Sequence, residues 1–256
     1  MAVRGQEPTL KADPFAQLYL LDLQALDSTL AQLAHRKKSL PEHERLEQLA
    51  ARRKELDGRR VEAETRVSDL AREQKKADGE VEHVKARRVR DQQRLESGQI
   101  TAPKDLENLQ HEVVALDRRI GTLEDEELEV MEALEQAQTD LEAVAVETAE
   151  VAQQVEEAEA ARDTAVAEID AKGQDATAER ARTAEKVPEP LLTLYDKVRT
   201  HHSGLGAAAL RQRRCEGCRL ELNGADIREL SALPSDEVLR CPECDRILVR
   251  TDESGL

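Results

Sequence analysis

Tryptophan is absent from this chain, and its aromatic residues amount to Phe15, Tyr19 and Tyr195. A thick globular core is thereby excluded, because large rings carry much of the buried area in such cores. No apolar run approaches the ~18 residues of a membrane span, so no membrane association is expected. Met1 to Lys11 lack the apolar stretch of a secretory leader, which makes the cytoplasm the expected location. Cysteine is confined to four residues in two close pairs with none left over, a usage that suits a reducing compartment. There is no P-loop, HExxH segment, Ser-His-Asp set or clustered carboxylate constellation. An enzyme acting on a small-molecule substrate is therefore not expected.

Ala, Leu, Glu, Arg and Gln dominate instead, as in long helices that bury narrow seams. A net charge of -16 with low hydropathy would also suit a disordered chain, but the periodicity argues against it. From Leu46 to Leu95 a 3-4 alternation places apolar residues at ten of fifteen seam positions, with Arg53 and Arg60 among the exceptions. From Leu106 to Ile169 a second register makes sixteen of nineteen apolar, interrupted by Glu127, Thr148 and Arg162. Seven-residue repeats sustained this long specify a coiled coil. Arg53, Arg60, Glu127 and Arg162 are read as fixing register.

Ser97 to Pro103 separates the registers, with Gly98 to end one helix and Pro103 to begin the next. A short connection makes the two arms antiparallel neighbours, residue i facing roughly residue 200 minus i. The second arm, about 104–187, is longer than the stretch 41–96. A first helix over about 14–40, with Leu18, Leu23, Leu26, Leu30, Leu33 and Leu40, supplies the missing partner, and Pro41 breaks the chain between them. Residues 15–97 carry 18 Lys and Arg against 16 Asp and Glu, whereas residues 105–187 carry 7 against 24. The acidic arm is expected to pair with the mixed one rather than with itself.

The coiled coil should stop at Val187-Pro-Glu-Pro190, followed over 188–206 by a short helix and a linker. The remaining 207–252 contain Cys215-Glu-Gly-Cys218 and Cys241-Pro-Glu-Cys244. Each C-x-x-C turn aims two sulfurs at one point, and two such turns give the four thiolates of a tetrahedral structural Zn²⁺ at ~2.3 Å. The ligands are thus Cys215, Cys218, Cys241 and Cys244. Iron in a rubredoxin-like site suits Cys-Pro-x-Cys as well. A thioredoxin-type thiol-redox pair is the enzymatic competitor, though no βαβ pattern surrounds either pair. A ribbon of this size without aromatics needs the metal to fold, and its core is expected to be separate from that of the helices.

Arg211, Arg213, Arg214 and Arg219 beside the first pair are the candidate contacts for a partner or for phosphate, while Arg240, Arg246 and Arg250 attend the second. Residues 205–250 nevertheless balance eight Arg with eight acidic residues and offer no aromatic face for bases. Protein docking is favoured over RNA or DNA binding on that ground. A second basic stretch, Lys85 to Arg94, is read as solvated or paired across the arms.

Ile100 to Ile120, opening Ile-Thr-Ala-Pro-Lys-Asp-Leu, Leu123 to Met131, and Cys215 to Leu248 with its trailing Arg246-Ile-Leu together resemble the bacterial C4-type zinc-ribbon and coiled-coil family, whose members are often labelled nucleic-acid-binding zinc-ribbon proteins. Asp245 stands where that family commonly has Gly, and Asp tolerates a left-handed backbone better than most residues. The resemblance implies one structural zinc ion at the four cysteines and a non-enzymatic adaptor role. It also implies partners such as a sigma factor or another transcription component, or RNA. The expected architecture is mainly α: a long antiparallel coiled-coil hairpin with an additional N-terminal helix and a small C-terminal β zinc ribbon.

Overall fold

The computed structural model describes residues 10–256, so the reading of Met1 to Lys11 as lacking a leader falls largely outside the described residues. Helix α1 spans Pro14–Lys38, α2 Pro41–Glu96, α3 Pro103–Ala184 and α4 Glu189–His201. Asp13 caps α1 by accepting the Phe15 N–H at 2.8 Å, Pro14 opens its first turn, and His35 to Lys38 oppose the dipole in its last. Gly98, at φ 66°, takes the left-handed position that releases the chain from α2 toward α3. Among the described residues no helix is long and apolar enough to cross a membrane.

Residues 44–160 form one compact unit, the hairpin of α2 against α3. Its best-packed stretch joins Leu49 and Leu56 to Val144 and Val151. Arg52 meets Glu147 at 2.6 Å, one residue from the expected register, whereas Arg88 meets Asp117 at 3.0 Å, five residues from it. Lys85 with Glu124 and Arg87 with Glu112 continue the pairing of the mixed arm with the acidic one. Such exposed pairs contribute roughly 0–1 kcal/mol each, so they select the partner more than they hold it.

Two seam positions depart from expectation. Arg53 and Arg60 are exposed, and the cross-arm contact is made one residue earlier, by Arg52 and Arg59 on Glu147. Leaving an unpaired guanidinium between helices is costly, and the long side chain reaches water instead. Glu127 faces Asp78. A hydrogen bond to the Asp78 carboxyl, partial burial and the Asp78 charge raise Glu127 above its ordinary value of 4.5. The folded hairpin therefore keeps a proton that the unfolded chain has lost, and it loses stability as pH rises past that value. Glu127→Gln is expected to raise the thermal midpoint of the hairpin at neutral pH and to abolish the gain seen on mild acidification. Glu147 behaves oppositely, being lowered by its hydrogen bond to Arg59 and by Arg52. Its contribution is present above the ordinary value and disappears as pH falls through the lowered one.

The second compact unit gathers residues up to 43 with 161–256. Strands β1 (Ala207–Arg211), β2 (Arg214–Cys215), β3 (Leu239–Arg240) and β4 (Ile247–Val249) lie in the order β2-β1-β4-β3. The outer pairs are antiparallel and the central β1–β4 pair is parallel. Helix α5 (Gly224–Ala232) connects the two halves, capped by Asn223, which accepts the Ala225 and Asp226 N–H groups. Residues 10–12 run alongside 236–238, with Ala12 N–H to the Asp236 carbonyl at 2.7 Å.

The expectation of separate cores is overturned here. Side chains alternate across a strand. Ala207, Val238, Ile247 and Val249 pack with Leu20 and Leu23 of α1 and with Leu191, Tyr195 and Val198 of α4. Ala208, Leu210, Leu239 and Leu248 point the other way, to Cys215, Cys241, Ile227 and Leu230. The ribbon makes up for its lack of aromatics by taking Tyr195, fully buried, from a helix. The same packing rotates α1 from the expected stripe: Leu20 is buried, and Leu18 lies on the exposed side.

Candidate metal centre

Both cysteine pairs are built by the same backbone device. In the first, the Arg219 N–H donates to the Cys215 carbonyl at 2.7 Å and the Cys215 N–H to the Leu220 carbonyl at 3.1 Å. In the second, the Asp245 N–H donates to the Cys241 carbonyl at 2.8 Å and the Cys241 N–H to the Arg246 carbonyl at 2.9 Å. Closing each turn requires a left-handed residue after the second cysteine. Arg219 (φ 62°) and Asp245 (φ 56°) occupy those places, and neither is glycine. Asp245 is held by Arg240, whose guanidinium reaches its carboxylate at 2.6 Å and its carbonyl at 2.9 Å.

The four sulfurs lie within 4.8 Å of one another, with Cys215 to Cys244 at 4.0 Å and Cys218 to Cys241 at 3.9 Å. A tetrahedron with metal–sulfur bonds of ~2.3 Å has edges of about 3.8 Å, so the set fits one structural zinc ion with little movement. Four thiolates complete the shell and leave no position for substrate. Burial pushes the Cys215 and Cys241 thiols up. Burial acts on Cys244 in the same sense, but the Arg246 backbone N–H and side chain, with the Cys241 and Cys218 thiols, hold it below its ordinary value. Metal uptake must displace the protons of the raised thiols, so affinity falls as pH falls.

All four candidate contact arginines are exposed. Arg211 lies 3.4 Å from Glu253, and Arg213 donates to the Gly255 carbonyl at 3.4 Å. Arg214 and Arg219 have no carboxylate partner among the described residues. Arg240, Arg246 and Arg250 are used internally, whereas Arg228 on α5 is exposed. Arg246 donates to the Leu205 carbonyl, and Arg250 ties together the carbonyls of Leu230, Leu233, Ser235 and Glu237.

A polar node beneath the sheet escaped the sequence reading. The Asp27 carboxylate, almost fully buried, accepts from Tyr195 Oη at 2.7 Å and Arg180 Nε at 2.7 Å, and it pairs with Arg199 at 2.8 Å. Gln24 Oε1 accepts the Gly206 N–H at 2.6 Å, while Gln24 Nε2 donates to the Gly204 carbonyl at 2.9 Å. Burial and the Asp27 hydrogen bond raise the Tyr195 phenol, which stays protonated. Gly206 has no room for a side chain, since a Cβ there would lie 2.8 Å from the Tyr195 carbonyl oxygen. The only sequence signal was that Gln24 and Asp27 continue the face of Leu20 and Leu23 at helical spacing.

Comparison with known proteins places these features in a group. The family described as CT398-like coiled coil hairpin domain matches residues 23–203, and the C4-type zinc ribbon domain matches 214–248. An uncharacterized protein of Mycobacterium tuberculosis is 36% identical over 244 residues, covering 95% of this chain and 98% of its own length. One from Mycobacterium leprae is 29% identical over 222 residues, covering 87% and 95%. A solved structure from Mycobacterium smegmatis superposes with a TM-score of 0.80 at 34% identity, over 94% of this chain and 100% of that one. CT398 from Chlamydia trachomatis shares the fold, with a TM-score of 0.64 at 17% identity over 92% and 98%.

Proposed function

The chain belongs to the bacterial family that joins a CT398-like coiled coil hairpin domain to a C4-type zinc ribbon, and from that premise we propose that it is a non-enzymatic zinc-binding adaptor whose ribbon docks on a macromolecular partner in the cytoplasm. The observation that carries this reading is the division of labour among the arginines. Arg240, Arg246 and Arg250 hold the ribbon together, whereas Arg214 and Arg219 project from it unpaired. Arg219 does so from a left-handed backbone position that a glycine would fill without strain. A protein of the transcription or RNA machinery, such as a sigma factor, is the class of partner proposed. In cell crosslinking of the full chain, Arg214→Glu with Arg219→Glu is expected to reduce partner capture about tenfold, with zinc content unchanged. Undiminished capture would remove the ribbon rim as the docking surface.

The same two unpaired guanidiniums support a second reading, direct binding of RNA or DNA. That reading requires affinity to fall steeply with salt and the slope to shrink in the double variant. Capture that survives nuclease treatment supports the protein partner instead.

A further inference from the structure

The two faces of the small sheet belong to two cores, and the central β1–β4 pair contributes residues to both. Ile247 and Val249 rest on α1 and α4, while Leu248 between them rests on the cysteine side. Upstream, the segment that feeds β1 is clamped by α1: Gln24 Oε1 accepts the Gly206 N–H at 2.6 Å and the Ala207 N–H at 3.3 Å. Gly206 itself is pressed against the α4 backbone at Tyr195. Three residues after Gly206, the Ala209 carbonyl accepts the N–H of Glu216, inside the first cysteine turn, at 3.0 Å. The covalent backbone of β1 thus links a hydrogen bond from a glutamine on the first helix to a hydrogen bond into the backbone of the metal turn.

We propose that the zinc centre and the α1–α4 helix pair form a single thermodynamic unit, in which Gln24, which touches no sulfur, sets the affinity for the metal. Gln24 is a positioning residue: it fixes the entry of β1, and β1 fixes the Cys215 turn through Leu210, which pairs with Cys215. Coupling between two sites is reciprocal. If the metal steadies the helix junction, loosening the junction must weaken the metal by the same factor. This coupling is independent of what the ribbon docks on.

The test uses the full reduced chain, with Zn²⁺ affinity measured by competition against a chromogenic chelator and backbone order by amide hydrogen exchange. Gln24→Ala is expected to weaken Zn²⁺ binding about tenfold, and metal removal to strip exchange protection from Leu191 to Val198 while Leu49 to Leu56 keep theirs. Unchanged affinity in a folded Gln24→Ala protein overturns the proposal, as does unchanged α4 protection in metal-free protein. Should Gln24→Ala fail to fold, Tyr195→Phe decides, since it keeps the ring and removes only the hydroxyl that reaches Asp27 and Gln24. Several-fold weaker zinc in that variant supports the coupling, and wild-type affinity rejects it.

Discussion

Replacing Cys241 by Ser should leave the chain without stoichiometric zinc and unfold the whole ribbon unit rather than a single turn. Cys241 is 1% exposed and shares its core with Leu210, Leu239 and Leu248, so no water or neighbouring side chain can take over as fourth ligand. Structural zinc contributes about 10–16 kcal/mol of coupled folding, comparable with the ~5–15 kcal/mol that holds an ordinary domain together. Because the sheet's other face is the floor of the α1–α4 core, the loss should extend to Leu20, Leu23 and Tyr195. Metal analysis and amide exchange check this together. The expected result is loss of zinc with loss of protection over 207–249 and 191–198, against retained protection over 49–56. Protection of α4 at wild-type levels in zinc-free protein would contradict the shared-core account.

The second large effect is expected at Asp27. Its carboxylate is the common acceptor for Tyr195, Arg180 and Arg199, and Arg199 Nε already lies buried without a partner. Asp27→Ala would leave the two guanidiniums with only the part-exposed Asp196 as countercharge, and the Tyr195 phenol without its main acceptor. Removing one partner from a buried ion pair costs about 3–5 kcal/mol, and the carboxylate left at Asp196 puts this variant at or below the lower end of that range. The urea midpoint of the ribbon unit, followed through the near-ultraviolet signal of Tyr19 and Tyr195, should fall accordingly. Asp27→Asn should cost less, since its amide oxygen still accepts one of these bonds. A midpoint within error of wild type for the alanine variant would mean that the node is solvated and incidental.

Much of this architecture is legible in the residues. The 3-4 alternation from Leu46 to Ile169 gave the two arms, and Gly98 with Pro103 gave the turn, because helix period and backbone stops are local properties. The cysteines were legible for a similar reason, each pair carrying its own turn. Two things were not. The parallel pairing of β1 with β4 joins residues forty apart through strands three to five residues long, too short to show a period. The Asp27 node is invisible because a polar residue on a charged helix reads as solvated, and only the arrival of Tyr195 and Arg199 from α4 makes that face an interior. Leu18 was misplaced for the same reason: α1 has partners on more than one side, and an apolar stripe cannot say which of them arrives.

Synthesis order adds a constraint, since the ribbon unit is assembled from both ends of the described chain. The Gln24 to Gly206 bond closes a loop of 182 residues. At about 5–20 residues per second, translation needs roughly 10–40 seconds to deliver the sheet to the helix that awaits it. The arms of the hairpin leave the ribosome within that interval and can zip locally, whereas Leu20, Leu23 and Gln24 must stay soluble without their partners. A nascent-chain proteolysis series should therefore find α1 cleavable until the final cysteine turn has emerged.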